Sequence, residues 1–384
     1  MLLAKPKIVA PDSSHWAKWL DAAFSKNADR RLAARALHDR LLEQDCIPFL
    51  SWHHVEELVS IGNASRASAR VEFLQSLPLL AWFRFSHENA GLGSIVDILA
   101  AEAIAVSEGC QEANAIREHA RSLLLQIGLG SEAVGSEIWP WTVARPEILK
   151  SRSNLDLVAT FSDLRLFDSQ RTVGDVSQGR LNSPEEMATQ FHRIKAVAIA
   201  EAKAHSVVGL DCAIEMANEF ISKVEELIPQ QGTTVREFIV TTLVEHGVDA
   251  EEITDDSVLA DLIALATFRT QLRIVARKTG RQFDALKRIS MSHLPSRILG
   301  RALKEHAQPR GKRRGSDVTD GYLAVLSAYV DVVYVDKRTW EDFRRVLVKE
   351  PALRDLIGKI RKAADFPDLV RAVDNQSELC VTEV

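Results

Sequence analysis

Carboxylates stand beside short apolar runs at four places in the 384-residue sequence. They are Asp12, Glu56 or Glu57, the pair Asp317 and Asp320, and Asp336. Carboxylates that meet in one place cannot all stay bare anions, because like charges at short range raise one another's pKa values. Mg²⁺ or Mn²⁺ prefers oxygen ligands, would relieve this repulsion and can activate a water against a phosphodiester. The acids therefore predict a hydrolytic metal site, provided that the fold brings them together.

The same acids also fit a purely structural interpretation. Asp317 suits the N-cap of a helix and Asp320 its N3 position, where negative charge favours the positive end of the helix dipole. Asp336 suits a turn in front of Lys337. Short motifs of this kind often arise by chance, so the position of the acids in the fold has to decide between the two interpretations.

The elements around the acids predict where they lie. Residues 7–11 form a short apolar strand that ends at Asp12, and residues 332–335 form a β-branched, uncharged strand that ends at Asp336. A third strand, 47–51, leads into a helix that carries Glu56 and Glu57 in its first turns. In an open parallel sheet the carboxyl ends of the strands share one edge, where ligands bind. We therefore expect the acids to lie along one edge of a sheet.

Strand and helix patterns alternate at both ends of the chain, which is typical of an α/β domain. A helix over 29–44 is expected to turn Leu32, Ala36 and Leu41 inward, and residues 79–83 predict a further strand. From 86 to 310 helical patterns dominate. We therefore predict an α/β domain with a parallel central sheet, formed by residues 1–85 and 311–384 and interrupted by a helical insertion at 86–310.

The residues around the acids resemble the PIN domain, a family of metal-dependent nucleases that includes the toxins of many bacterial toxin–antitoxin pairs. The resemblance rests on four stretches: Asp12 after Ile-Val-Ala-Pro, the run Val55-Glu-Glu-Leu, the pair Asp317 and Asp320 before an alanine-rich helix, and Asp336 after Val-Val-Tyr-Val. It covers 1–85 and 315–348 and leaves the middle of the chain uncovered. The chain departs from the family in its large insertion and in Val335, where a Ser or Thr often precedes the last acid.

The resemblance implies a PIN-like, Rossmann-like three-layer fold and a metal-dependent nuclease, with an endoribonuclease favoured. In the family the second acid is the Glu of a Val-x-Glu-Leu run, which selects Glu57 over Glu56. Asp12, Glu57, Asp320 and Asp336 would then be the catalytic, metal-binding acids, with Asp317 an additional ligand of Mg²⁺ or Mn²⁺. A metal-bound water would attack the phosphate and leave a 5′-phosphate and a 3′-hydroxyl.

The net charge of −5 conceals a basic block. Residues 269–314 contain fourteen Lys or Arg against two acids, which leaves the rest of the chain at −17. Such a block suits a polyanion, although a solvated helical face is an equally common explanation. Because the loop 308–314 directly precedes Asp317, contacts to a nucleic-acid backbone are predicted for five residues: Arg310, Lys312, Arg313, Arg314 and Lys337.

Partners and location follow from what the sequence lacks. The four cysteines have no zinc or redox spacing, and neither a membrane-spanning run nor a signal-peptide core is visible. We expect a cytoplasmic protein whose partner is nucleic acid, with a homodimer and a protein regulator on the insertion left open. Two other functions also stay open: an inactive PIN-like scaffold that binds nucleic acid or protein, for instance through the acidic stretch 245–261, and a metal-dependent phosphatase.

Overall fold

The chain divides into two compact units, of which the first is built from three separate stretches. The first unit consists of residues 1–148, 292–309 and 319–384, and the second of residues 149–291 and 310–318. The structure, a computed structural model, describes residues 5–85, 91–163, 169–179, 233–308 and 321–374, together with single positions between 186 and 222. Side chains are not described over 153–163.

A parallel sheet lies at the centre of the first unit. The strands of the described residues are β1 (Lys7–Pro11), β2 (Cys46–Pro48), β3 (Leu80–Phe83), β4 (Leu125–Gly128), β5 (Val332–Val335) and β6 (Lys359–Lys362). Four of them pair in parallel in the order β2–β1–β5–β6. β3 approaches β2 through one parallel bridge, Phe49 to Ala81, and pairs antiparallel with β4. The predicted α/β class and parallel sheet are confirmed, whereas β4 and β6 were not predicted.

Helices connect the strands and form the second unit. Within the described residues the α-helices are α1 (Ser13–Ala23), α2 (Ala28–Glu43), α3 (Trp52–Val59), α4 (Ala64–Gln75), α5 (Ile95–Ser107), α6 (Ala113–Leu124), α7 (Gly130–Val134), α8 (Trp139–Asp163), α9 (Val173–Ser177), α10 (Val235–Glu245), α11 (Leu259–Thr279), α12 (Phe283–Leu286), α13 (Pro295–His306), α14 (Lys337–Lys349) and α15 (Phe366–Asp374). Residues 321–325 are also helical and lead into the 3₁₀ turn Leu326–Ala328. Further 3₁₀ turns are Ala250–Glu252, Met291–His293 and Pro351–Asp355.

Apolar clusters cover both faces of the sheet. Side chains alternate along each strand, so Val9 and Tyr334 belong to the cluster on one face, whereas Ile8, Ala10 and Val333 belong to the other. The first cluster includes the completely buried Trp16 and Trp19 of α1, with Trp19 stacked on Phe366 at 4.0 Å between ring centroids. Strands that are buried on both faces explain why β1 and β5 read as uninterrupted apolar runs in the sequence.

Part of the segment assigned to the insertion packs with the sheet instead. Ile98 and Ala101 of α5 and Leu124 of α6 belong to the cluster on the second face of the sheet. The first unit accordingly includes residues 91–148 and 292–308, which the sequence analysis placed in the insertion at 86–310. A sheet buried on both faces needs a second helical layer, and α5 and α6 belong to it.

The inward face of α2 also differs from the prediction. Leu41 is buried as expected, but Leu32 and Ala36 are exposed. The buried face instead carries Ala34, Leu37 and His38. The short Ala34 permits close packing, since its carbonyl accepts a hydrogen bond of 2.6 Å from the Trp19 indole.

The second unit has its own apolar core between short and long helices. Val173 of α9, Ile239 and Leu243 of α10 and Leu262 of α11 are buried together. The end of α11 is marked by Gly280, whose positive φ of 66° is the left-handed conformation that favours glycine at a helix C-terminus. No helix within the described residues is both long and apolar enough to cross a bilayer.

Candidate functional site

Three helices begin at the carboxyl edge of the sheet, each directly after a parallel strand. Asp12 is the N-cap of α1 after β1, Ser51 is the N-cap of α3 after β2, and Asp336 is the N-cap of α14 after β5. The three strands are neighbours in the order β2–β1–β5. The positive ends of three helix dipoles and their unpaired backbone N–H groups therefore lie along one edge.

Asp12 and Asp336 lie next to each other at this edge. Pro11 is in register with Tyr334, and the Asp12 backbone N–H donates to the Tyr334 carbonyl at 2.9 Å. Asp336 is thus one position farther along the adjacent strand than Asp12. With strands 4.7–4.9 Å apart and a rise of 3.3 Å per residue, their Cα atoms are separated by about 6 Å. This distance permits the two carboxylates to act on one ligand.

Each of the two carboxylates has one oxygen fixed in a helix cap. Oδ1 of Asp12 accepts from the Ser14 N–H at 2.7 Å, and Oδ1 of Asp336 accepts from the Thr339 N–H at 2.7 Å. Among the described residues, nothing donates a hydrogen bond to either Oδ2. Both residues are therefore helix caps, a role that the sequence analysis considered for Asp317 and not for these two, and each cap leaves one carboxylate oxygen available to a ligand.

Two histidines complete the helix starts and were not predicted as part of the site. The His15 and His54 Nδ1 atoms accept the backbone N–H of Asp12 at 3.1 Å and of Ser51 at 3.0 Å. The other ring nitrogen of His15 donates to the Ala363 carbonyl, and His54 forms a hydrogen bond with the Pro11 carbonyl. A polar N-cap residue followed three positions later by His, directly after an apolar strand, occurs twice in the sequence and could have identified both.

His54 is neutral although it lies beside the acids. Burial, with His53 and His15 nearby, lowers its pKa to about 3. Its Nδ1 accepts a hydrogen bond from an amide, so the proton is on the nitrogen that faces Pro11. The ring thus ties the end of β1 to the start of α3 without adding positive charge to the edge.

An open depression lies over the ends of β1 and β5, and we call it the edge depression. Asp12, His54 and Thr339 supply its polar groups. Its remaining lining is apolar: Ala10, Pro11, Leu323, Ala324, Leu326, Val333 and Val335. The edge depression therefore combines one capping acid and the first turn of α14 with apolar walls.

A second depression shares Leu326 with the first and contains an aromatic pair. The rings of His53 and Tyr322 stack at 5.0 Å with an interplanar angle of 16°. His53 Nδ1 lies 3.3 Å from Glu56 Oε2, while its buried Nε2 has no hydrogen-bond partner in the part of the chain that the structure describes. Consecutive histidines on α3 therefore face different depressions, as their angular separation of about 100° on a helix requires.

Glu57, the second predicted acid, is half-buried on α3. It lies three residues after His54, and residues three apart share one side of a helix. Glu56 is instead engaged by His53, which lines the second depression. The helical spacing therefore turns Glu57, rather than Glu56, toward the side of α3 that lines the edge depression.

The predicted ligand set is only partly within the described residues. Asp317 and Asp320 lie outside them, as do Arg310, Lys312, Arg313 and Arg314. Among the described residues, one trio of His, Cys, Asp or Glu has its ligand atoms all within 4.8 Å of one another, namely Glu305, His306 and Glu350. The ligand atoms of Asp12, Glu57 and Asp336 are therefore not all this close together. The three described acids thus do not by themselves enclose an ion.

Cations flank the two acids at the sheet edge. Lys337 and Arg338 are exposed in the first turn of α14. Lys362, at the end of β6, is in register with Val335, and its Nζ lies 5.8 Å from the centre of the Trp340 ring. Lys337, predicted to contact nucleic acid, is therefore exposed beside Asp336.

Two cations of the basic block are paired with acids inside the second unit. Arg269 is 5% exposed and forms an ion pair with Glu252, while Lys287 Nζ lies 2.9 Å from Asp249 Oδ1. These acids belong to the stretch 245–261 that the sequence analysis considered as a docking surface. The pairing reduces both the positive charge left for a polyanion and the negative charge left for a protein partner.

Comparison with known proteins gives no relative to guide the interpretation. No protein-family model, no curated protein and no solved structure matches the chain. The assignment of function therefore rests on the residues at the sheet edge alone.

Proposed function

We propose that the chain is a PIN-like, metal-dependent nuclease whose active site is the carboxyl edge of the sheet. One observation carries the proposal: Asp12 and Asp336 directly follow two neighbouring parallel strands, and each keeps one carboxylate oxygen outside its helix cap. A residue needed only as a cap could as well be Ser, Thr or Asn. Two acids at adjacent strand ends favour a cation.

The proposed ligand set is Asp12, Glu57, Asp320 and Asp336, with Asp317 as an additional ligand. Asp320 immediately precedes the helical residues 321–325, whose Leu323 and Ala324 line the edge depression together with Asp12. Glu57 shares a side of α3 with His54, which lines the same depression. Leu323 and Ala324, which follow Asp320 in the sequence, and His54, which precedes Glu57 on α3, thus line the depression.

The donor set fits Mg²⁺ or Mn²⁺, because every proposed ligand is a carboxylate. A bound ion would supply an activated water and neutralise charge on the scissile phosphate. The first turns of α1, α3 and α14 orient the phosphate through their N-terminal ends. Lys337 and Lys362 hold the flanking backbone by charge.

Single-stranded RNA is the proposed substrate, with DNA as the comparison. The preference for RNA rests on family analogy and has only associational support. The second depression, with its stacked His53 and Tyr322, provides an aromatic surface of the kind on which unpaired bases stack. A single strand can place a phosphate at the acids while a neighbouring base reaches this surface.

The test is cleavage of labelled single-stranded RNA and DNA in Mn²⁺. Asp12→Asn and Asp336→Asn should each slow cleavage more than about 100-fold, since loss of a second-shell partner alone can cost 10–100-fold. Asn caps a helix as well as Asp does, so both variants should unfold at the native temperature. Asn27→Ala, which removes the N-cap of α2 instead, is the matched control and should cleave at the native rate.

Two outcomes would contradict the proposal: no Mn²⁺-dependent cleavage of either polymer, or native rates in both Asn variants. The backbone contacts are tested separately by salt. Cleavage below saturation should weaken steeply between 50 and 200 mM salt and less steeply in Lys337→Ala. A salt dependence that Lys337→Ala leaves unchanged would remove this residue from the interface without affecting the metal site.

A further inference from the structure

Three metal-ligating side chains converge where α13 and α14 end, away from the acids of the proposed nuclease site in the sequence. His306 Nε2 lies 3.1 Å from Glu350 Oε1 and 3.9 Å from Glu305 Oε2. Among the described residues this is the one trio of His, Cys, Asp or Glu whose ligand atoms all lie within 4.8 Å. The proposed nuclease does not use any of the three.

The spacing suits a small tetrahedral ion. Ligands at about 2.1 Å from Zn²⁺ in tetrahedral geometry are about 3.4 Å apart, and the two distances from His306 Nε2 lie on either side of this value. One imidazole with two carboxylates is also a donor set of the kind that catalytic zinc sites use, with the fourth position open to water. Mg²⁺ is disfavoured because it prefers oxygen ligands alone.

An ordinary ion pair explains this geometry less well. One imidazole nitrogen can donate its proton to a single carboxylate at a time, so His306 cannot pair fully with Glu305 and Glu350 together. Arg301 gives Glu305 only distant compensation, with Nε 4.0 Å from Oε1. The site also lies at the C-terminal end of α13, where the helix dipole favours a cation.

The ligands project from fixed backbone. Ala302 of α13 and Val346 of α14 are completely buried in one apolar cluster with Leu353. The Glu350 N–H donates to the Val346 carbonyl at 2.7 Å, which holds Glu350 at the end of α14. The His306 and Glu350 side chains are 28% and 27% exposed, so an ion can reach them without a change of fold.

We infer that Glu305, His306 and Glu350 form a zinc site that joins the end of α13 to the end of α14. The site is independent of the proposed nuclease function, since it shares no residue with it. Its bound ion has one coordination position for water or an exogenous ligand.

The test is a Zn²⁺ titration of the full chain by calorimetry, with Mg²⁺ as the comparison ion. One Zn²⁺ per chain should bind at this site, in addition to any ion that the acids of the proposed nuclease site hold, and His306→Ala and Glu350→Gln should each weaken its binding at least tenfold. His119→Ala is the matched control, because His119 pairs with Glu108 at 2.8 Å but has no third ligand. Its Zn²⁺ affinity should match that of the native chain. Circular dichroism checks that each variant is folded.

A visible spectrum distinguishes a built site from surface adsorption. Co²⁺ in place of Zn²⁺ should give a four-coordinate absorption band in the native chain that His306→Ala abolishes and His119→Ala retains. The inference is overturned if native chain and His306→Ala bind Zn²⁺ with equal affinity, or if His119→Ala loses as much affinity as His306→Ala. Native nuclease activity in His306→Ala, together with loss of this Zn²⁺ binding, would separate the two sites.

Discussion

His54 is fully buried between two strand ends, and it stays there only because it is uncharged. Its Nδ1 accepts the Ser51 N–H, and its other nitrogen bonds the Pro11 carbonyl. Protonation would replace an acceptor by a second donor that points at a backbone N–H. The edge of the sheet is therefore sensitive to acid at a residue that belongs to neither strand.

Acid should destabilise the protein through His54. Burial lowers its pKa from 6.5 to about 3, so between these values the unfolded chain binds a proton that the folded chain does not. The contribution of neutral His54 to the free energy of unfolding is complete above pH 6.5 and decreases as pH falls. At pH 5 the free energy of unfolding is lower by about 2 kcal/mol. His54→Gln should lower stability at pH 7 but flatten this part of the pH dependence, measured by urea unfolding at pH 7 and pH 5.

His119→Gln is the control for this measurement. The His119 side chain is 35% exposed and pairs with Glu108, so this variant removes a histidine from a partly exposed ion pair instead of from the buried edge of the sheet. His38, whose pKa burial also lowers, stays in both variants and contributes equally. Identical pH profiles for native chain and His54→Gln would show that His54 is protonated without cost.

At the scale of elements, a buried carboxylate joins α5 to α13. Glu102 of α5 is completely buried and accepts from the Ser296 N–H at 2.7 Å, from the Ser296 hydroxyl at 2.6 Å and from the Tyr329 hydroxyl. Ser296 is in the first turn of α13, whose N-cap position, Leu294, makes no side-chain cap. Glu102, although it belongs to α5, therefore caps the N-terminus of α13.

Removing this carboxylate should cost more than replacing it by an amide. Glu102→Ala leaves buried donors on Ser296 and Tyr329 without an acceptor and should destabilise the fold by about 3–5 kcal/mol. Glu102→Gln keeps an acceptor oxygen and should cost less. Urea unfolding of both variants measures the difference, and equal losses would contradict the capping role.

The pH dependence of unfolding gives a second comparison, between the native chain and Glu102→Gln. Burial raises the pKa of Glu102 above 4.5 against the opposing effect of its hydrogen bonds. Between 4.5 and the raised pKa the folded chain retains a proton that the unfolded chain has released, so this contribution to stability is present below 4.5 and lost as pH rises. Glu102→Gln should lack this loss.

The sequence predicts elements well where local pattern and burial agree. The strands ending at Asp12 and Asp336 are short and apolar on both faces, so pattern alone locates them. The predicted inward face of α2 was wrong because the Ala and Leu positions fit two neighbouring faces of this Arg-rich helix. Only packing against Trp19 selects the face that carries Ala34. The role of α5 was missed, although a helix that is apolar on all sides is typical of a buried layer.

The candidate site was predictable at its strand ends and only in part at its histidines. Asp12 and Asp336 follow apolar strands as predicted, because the position after such a strand is set locally. The pattern of a polar N-cap followed three positions later by His could have marked His54, but its contact with the Pro11 carbonyl joins segments that are distant in sequence and could not be predicted. The meeting of Asp317 and Asp320 with these acids stays a prediction, because both lie outside the described residues.

At the scale of the whole molecule, the two units differ in how they can be observed. The seven tryptophans are Trp16, Trp19, Trp52, Trp82, Trp139, Trp141 and Trp340, and all belong to the first unit. Tryptophan fluorescence therefore reports unfolding of the sheet and its helices. Far-ultraviolet circular dichroism reports helices of both units.

Arg269→Ala should separate these two observations. Arg269 is buried in the second unit with Glu252, and loss of one partner of a buried pair costs about 3–5 kcal/mol, somewhat less here because the Glu252 side chain is 39% exposed. The circular dichroism transition should shift to lower urea, while the fluorescence transition stays in place. A matched control is Arg277→Ala, an exposed residue of the same helix. Equal shifts of both transitions would show that the units unfold together.

The interrupted first unit has a consequence for synthesis. Ile8 donates to Asp331 across the start of β1 and β5, and these residues are 323 positions apart. At 5–20 residues per second a ribosome needs roughly 15–65 s to travel this distance. During that time β1 has emerged without the neighbour that carries Asp336, so its open edge is exposed to other nascent chains. The edge therefore cannot function in a chain whose translation has not yet reached β5. A chain that is released before β5 never forms this edge.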